Sequence, residues 1–186
     1  ILDESGSMNH IKQAAIDSVN ETLQSIRGAQ KENENQEHFV TFVSFNSRVN
    51  TLFDCVSADS VNDLKDNDYN PAALTALYDA MGMSLTTLRE RVKEDDKVLV
   101  TIVTDGMENA SKEYSGVAIK ALVDELKARG WIFAYMGANH DVEAAAAHIS
   151  ITNVMHFEAS IHGTDEMSKK HKYAREGLYK RMSESS

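Results

Sequence analysis

The chain has 186 residues, 42% of them hydrophobic, and a formal net charge of −10. That length supports one sizeable core and is short for two, so residues 1–186 read as a single domain. The acidic balance argues against a broad nucleic-acid surface, and no apolar run approaches the ~20 residues that span a bilayer. Cys55 is the only cysteine, which leaves no internal disulfide and favours a reducing, cytoplasmic setting.

In chain order, Ile1-Leu2 reads as the end of an apolar strand. Strands usually run about five or six residues, and the chain begins with Ile rather than Met, so the N-terminus is read as a processed end or an incomplete sequence. No secretory signal is visible. Met8, Ile11, Ala15, Val19, Leu23 and Ile26 recur with helical spacing, and the polar stretch Arg27 to Glu37 ends that helix. His38 to Phe45 is an apolar strand, Asn46-Ser47 a turn, and Val49 to Val56 its hairpin partner. Ser57 to Asn70 is polar and acidic and is expected to loop over the top of the sheet. Thr75 opens a second helix with the stripe Leu74, Leu77, Tyr78, Met81, Leu85, Leu88 and Val92. Lys97 to Val103 is a continuous apolar run of the kind buried in a parallel sheet. Ser115 to Arg129 has helical spacing and stops at Gly130. Trp131 to Met136 is a further buried strand, Asp141 to His148 a short Ala-rich helix, Asn153 to Phe157 an edge strand and Met167 to Met182 a final helix. Strands alternating with helices define a doubly wound α/β sheet, mostly parallel.

The chemistry gathers in three segments, two at strand ends and one at a helix start. Asp3-Glu4-Ser5-Gly6-Ser7 joins the first strand to the first helix and offers a carboxylate and two hydroxyls at alternate positions. These oxygens can serve one hard cation, or Ser5 or Ser7 can simply cap the helix. Thr104-Asp105-Gly106 brings a second carboxylate to the carboxyl end of the Lys97 to Val103 strand, where open α/β sheets expose their ligands. Thr75-Ala76-Leu77-Tyr78-Asp79-Ala80 adds a hydroxyl. Oxygen donors alone suit Mg²⁺, Mn²⁺ or Ca²⁺ rather than zinc or copper.

In this order and spacing, the three segments resemble the metal-ion-dependent adhesion site (MIDAS) of the von Willebrand factor type A domain, in its stand-alone bacterial form. The resemblance covers all but about the last twenty residues. It implies a three-layer Rossmann-like fold with a central first strand and one antiparallel edge strand. It also implies a site in which Ser5 and Ser7 bind the cation directly, Thr75 and Asp105 exchange direct and water-mediated roles, and Asp3 acts through water. An Asp or Glu of a protein partner would complete the coordination, with Gly106, Glu108 and Asn109 as a rim. The relatives' settings imply an ATPase or another intracellular complex as partner.

Other signals are weighed and set aside. Glu4 points away from its neighbours in the alternating run and is not a ligand; Asp79 is a helix or loop anchor. His140 and His148 lack the spacing of a helical His-Glu-x-x-His site and read as solvated or locally bonded. Asn139 or Asp141 reads as a helix cap. The segment from Met167 to Ser186 holds six basic residues against two acidic ones, a solvated helix face or a docking element. A metal-dependent phosphohydrolase using the same carboxylates is the alternative function. It lacks parts: Ser5 stands where a second aspartate would act as acid and base, and there is no Gly-x-x-x-x-Gly-Lys loop, Gly-x-Ser-x-Gly elbow or Gly-x-Gly-x-x-Gly turn. The chain is therefore expected to bind, not to catalyse.

Overall fold

The computed structural model describes residues 1–33, 35–105, 107–138 and 142–156. Its elements are β1 (Leu2–Asp3), α1 (Lys12–Glu32), β2 (Phe39–Phe45), β3 (Val49–Ser57), α2 (Leu77–Arg91), β4 (Leu99–Val103), α3 (Gly116–Ala128), β5 (Ile132–Gly137), α4 (Val142–His148) and β6 (Asn153–His156). The strands form one six-stranded sheet in the order β3-β2-β1-β4-β5-β6. Only β3 runs antiparallel, and it lies at an edge.

Alternation along the strands decides which layer each side chain joins. Leu2, Phe42, Val103 and Met136 meet the α1 stripe of Ala15, Ile16, Val19 and Leu23 on one face. Phe45, Ile102, Phe133 and Tyr135 meet α2, α3 and α4 on the other. The neighbours Ile102 and Val103 thus serve opposite cores, which is why β4 reads as an unbroken apolar run. Ile119, Val123 and Leu126 anchor α3 and are fully buried; each contributes roughly 1.5–3 kcal/mol by leaving water. Ser115 caps that helix by accepting a bond from Ala118 N–H, and Gly130 ends it at φ +90, a conformation a Cβ would strain.

The topology places the site. Leu2 pairs with Ser44 of β2 on one side and Val103 of β4 on the other, so β1 is central. The chain leaves β1 for α1 on one face and β4 for α3 on the other. The carboxyl ends of β1 and β4 therefore flank the switch point where an open sheet forms its ligand crevice.

Several boundaries differ from the sequence reading. The first helix opens as a 3₁₀ turn, Gly6–Ile11, before α1, and it continues to Glu32 through the polar stretch expected to end it. The segment from Ser57 to Asn70 does not merely loop over the sheet. Its Ala58, Val61, Leu64 and Tyr69 are buried in the α1-side core, and Asn20 holds both the N–H and the carbonyl of Leu64. α2 begins at Leu77 rather than Thr75, which leaves Leu74 56% exposed, outside the apolar stripe assigned to it. The reason is local. The Thr75 carbonyl accepts from the N–H groups of Asn109 and Ala110 and so is not available to the helical ladder. The expected final helix, Phe157, Asn139, His140 and Asp141 lie outside the described residues.

Candidate metal centre

Asp3 ends β1 with its side chain fully buried. One oxygen accepts from Ser5 N–H at 2.7 Å and the other from the Thr104 hydroxyl at 2.6 Å. Both partners are neutral. Burial raises the carboxyl above its ordinary range; the Thr104 and Ser5 bonds pull it back, and the charge of Asp105 adds to the rise. Tyr69, reaching from the opposite loop, donates to the Asp3 carbonyl at 2.5 Å. Burial and the nearby charges of Asp3, Glu4 and Asp105 push its phenol up, which keeps it a donor.

Ser5 stands at the head of the 3₁₀ turn, yet its side chain makes no capping bond. Its Oγ instead lies 3.1 Å from Ser7 Oγ, and Ser7 Oγ donates to Asp105 Oδ1 at 2.8 Å. Of the two readings of these serines, the helix-cap role of Ser5 is thereby removed. The loop is fastened from outside: Gly6 N–H donates to the Ala73 carbonyl and Ala72 N–H to the Glu4 carbonyl, while Asn9 bridges the carbonyls of Gly6 and Pro71. Ala73 holds φ at +66 to make this approach, a region costly for a residue with a Cβ. Glu4 accepts from Asn70 N–H at 2.9 Å.

Thr75 is buried beside this loop and is clamped by Asn109, whose Oδ1 accepts the Thr75 N–H at 3.0 Å. Glu108 closes the next layer. Its carboxylate accepts from the N–H groups of Tyr78, Ala110 and Ser111 and from the Ser111 hydroxyl. A helix start leaves its first N–H groups without intrahelical partners and carries positive potential; Glu108 and the Ser111 hydroxyl, which takes Asp79 N–H, satisfy it for α2. Asp79 answers by accepting from the N–H groups of Lys112, Glu113 and Tyr114. It is a loop anchor, as its position in the sequence suggested.

The expected ligands thus meet unequally. Asp3, Ser5, Ser7 and Asp105 are joined by direct hydrogen bonds through Ser5 N–H and the two serine hydroxyls, and Thr75 is attached through backbone contacts with the 109–110 loop. The side-chain acceptors of Glu108 and Asn109 are turned inward, onto α2 and Thr75. Gly106 lies outside the described residues. His10, which sequence reasoning passed over, brings Nδ1 against the Ser7 carbonyl and within 3.7 Å of Asp105 Oδ2. The signal was its place three residues after Ser7, one helical turn on.

The donor chemistry fits a hard divalent cation. Carboxylate and hydroxyl oxygens converge, and Asp3 is a desolvated anion met only by neutral donors in these contacts. Among the described residues no three His, Cys, Asp or Glu side chains gather as a ligand group, so hydroxyls have to complete any such site. A positive charge there would offset the burial that chiefly raises the Asp3 carboxyl and the smaller contribution of the Asp105 charge.

A family profile described as von Willebrand factor type A domain matches residues 1–169. Among solved structures, one titled as the crystal structure of the SpRpn10 VWA domain aligns at a TM-score of 0.59 and 9% identity, covering 91% of each chain. Sequence comparison with curated proteins found no match. The chain belongs to the von Willebrand factor type A domain family, whose members are protein-interaction modules, and its sheet has that fold. Among the described residues no helix is long and apolar enough to cross a membrane.

Proposed function

We propose that this domain binds a protein partner through a divalent cation held by Ser5, Ser7, Thr75, Asp105 and, through water, Asp3. The observation that carries the reading is the chain of contacts Ser5 Oγ to Ser7 Oγ to Asp105 Oδ1, at 3.1 and 2.8 Å, beside the buried Asp3. Mg²⁺ fits this set best because it keeps waters and takes few carboxylates; Mn²⁺ and Ca²⁺ are the other candidates. When bound, the cation supplies an electrophilic centre that accepts one outside oxygen, and an Asp or Glu of the partner provides it.

The chain's own residues do the rest. Ser5 and Ser7 contribute neutral oxygens, so the two carboxylates leave the centre incompletely neutralised. Tyr69, Asn9 and the Ala72 and Ala73 backbone fix the loop that carries those serines. Asn109 and Glu108 fix Thr75 and the head of α2. Hydroxyl-rich coordination holds a ligand rather than generating a nucleophile, which supports a binding role, with an intracellular complex such as an ATPase assembly as the setting.

Calorimetric titration with Mg²⁺ and Mn²⁺ tests the site. We expect a single saturable heat that disappears when Ser5→Ala and Ser7→Ala are combined. Binding to the native state alone should add about 2.7 kcal/mol of stability at a hundredfold excess over Kd. Absence of saturable heat in the intact protein, or heat unaltered by the double substitution, would refute the assignment.

A further inference from the structure

Thr104, at the carboxyl end of β4, carries a hydroxyl where water does not reach: the residue is 0% exposed. Burying a hydroxyl is costly unless it is hydrogen-bonded, and valine would offer nearly the same shape with no polar group. The hydroxyl is used on Asp3, whose Oδ2 accepts from Thr104 Oγ1 at 2.6 Å across 101 residues of chain.

Sheet register delivers that contact. Leu2 pairs with Val103 across the parallel strands β1 and β4, and both side chains enter the α1-side core. Alternation therefore turns the next residues, Asp3 and Thr104, towards the other face side by side. The Thr104 backbone is fixed from β5 as well: its N–H donates to the Met136 carbonyl at 3.0 Å. A Cβ on Gly137 would crowd the Thr104 carbonyl at 3.2 Å, so a glycine there lets β5 close on it.

Orientation has to be imposed on Asp3, because the last torsion of an Asp side chain is broad and roughly two-fold. Ser5 N–H holds Oδ1 at 2.7 Å and Thr104 holds Oδ2. Two donors on two oxygens fix the plane of the carboxylate, and each oxygen keeps a second lone-pair direction. Thr104 also directly precedes Asp105. One residue thus orients the first carboxylate while its neighbour supplies the second.

Resting on the cation-dependent reading above, we propose that Thr104 is a positioning residue of that centre: it does not touch the cation but sets the plane of the Asp3 carboxylate that serves it. Partners of this kind typically carry ten- to hundredfold of metal affinity.

Calorimetric titration of the parent, Thr104→Val and Thr104→Ser with Mn²⁺ tests this, together with the electron paramagnetic resonance spectrum of the bound ion, which reports the symmetry of its surroundings. Thr104→Val should raise the Mn²⁺ Kd about tenfold or more, alter the spectrum, and narrow the gap in melting temperature between Mn²⁺ and chelator. Thr104→Ser, which restores the hydroxyl, should return all three towards the parent. Thr104→Ala loses the same donor with a smaller side chain and serves if the valine variant does not fold. A smaller rise, an unchanged or lower Kd, or no recovery in Thr104→Ser would overturn the proposal. So would a melting temperature lowered equally with and without Mn²⁺, which marks a bond that only holds the fold. Absence of saturable Mn²⁺ heat in the unaltered protein would instead overturn the cation site on which the proposal rests.

Discussion

Two groups of carboxylates lie close together at the top of the sheet and are treated in opposite ways. Glu108 and Asp79 each receive several donors, mostly backbone N–H groups of the 110–114 segment and of α2. Asp3 is more deeply buried and is offered the Ser5 N–H and the hydroxyls of Thr104 and Ser5, with Asp105 nearby as a second negative charge. The first pair is satisfied by the chain itself and serves as structure. Around Asp3 these donors are neutral, and the cation proposed above would add positive charge there. Acidity alone does not distinguish the roles; the number and kind of donors does.

The comparison breaks most readily at Glu108. Glu108→Ala strips four hydrogen bonds and uncaps α2, and about 3 kcal/mol of lost stability is expected in urea unfolding with chelator present. A loss below about 1 kcal/mol would mean that water replaces the carboxylate and that the loop is not held by it. Because the effect is structural, it should persist in Mg²⁺.

Asp79 and Asp3 should then respond to pH with opposite signs. Burial works to raise the Asp79 carboxyl, but the N–H groups of Lys112, Tyr114 and Glu113 outweigh it and hold it below the ordinary value. Its folded pKa lies under the unfolded one, so its contribution is present above the unfolded value of about 3.9 and is lost as pH falls through the folded one. Asp79→Asn should flatten that acidic limb of the melting curve. For Asp3 the shift is upward, chiefly from burial. Its contribution is present below the unfolded value and is lost as pH rises through the folded one. The gap in melting temperature between Mg²⁺ and chelator should therefore widen as pH climbs from about 4 towards neutrality. A gap constant over that range would show that Asp3 is not a charge the cation relieves.

Such opposing roles are only half legible in the chain. The strands announce themselves, since Leu99 to Val103 is apolar but for Thr101 and Ile132 to Met136 is apolar throughout, and the Asp3, Ser5, Ser7, Thr75 and Asp105 segments carry their spacing openly. What stays hidden is contact between segments about thirty residues apart. Nothing local to Glu108 says that the Tyr78 amide is one of its partners, and nothing local to Thr75 says that Asn109 will draw it out of the helix. The burial of Ala58, Val61, Leu64 and Tyr69 is equally silent, because their spacing matches neither a strand nor a helix and the acidic residues between them dominate the reading. His10 was legible in principle, as a residue one turn beyond Ser7.

The smallest effect sharpens the contrast furthest. Asp3→Asn keeps the shape, removes the buried charge, and leaves an oxygen for Ser5 N–H. In chelator its stability at neutral pH should equal or exceed that of the parent by about 1 kcal/mol, while the calorimetric Mg²⁺ signal vanishes. A substitution that stabilises the fold and abolishes ligand binding is the signature of a group kept for function. Marked destabilisation without metal would move Asp3 into the company of Glu108.

Thr75 is held from both ends by one neighbour: its N–H goes to the Asn109 side chain and its carbonyl receives the Asn109 and Ala110 amides. Glu108 and Ser111 repeat the arrangement at the N–H groups of Tyr78 and Asp79, three and four residues further on. The segment entering α2 and the segment after β4 are stitched together bond by bond, like a zip. Any displacement at Thr75 has to carry the 108–114 segment and the head of α2 with it. These bonds tie Thr75, the 108–114 segment and the head of α2 into one hydrogen-bonded unit.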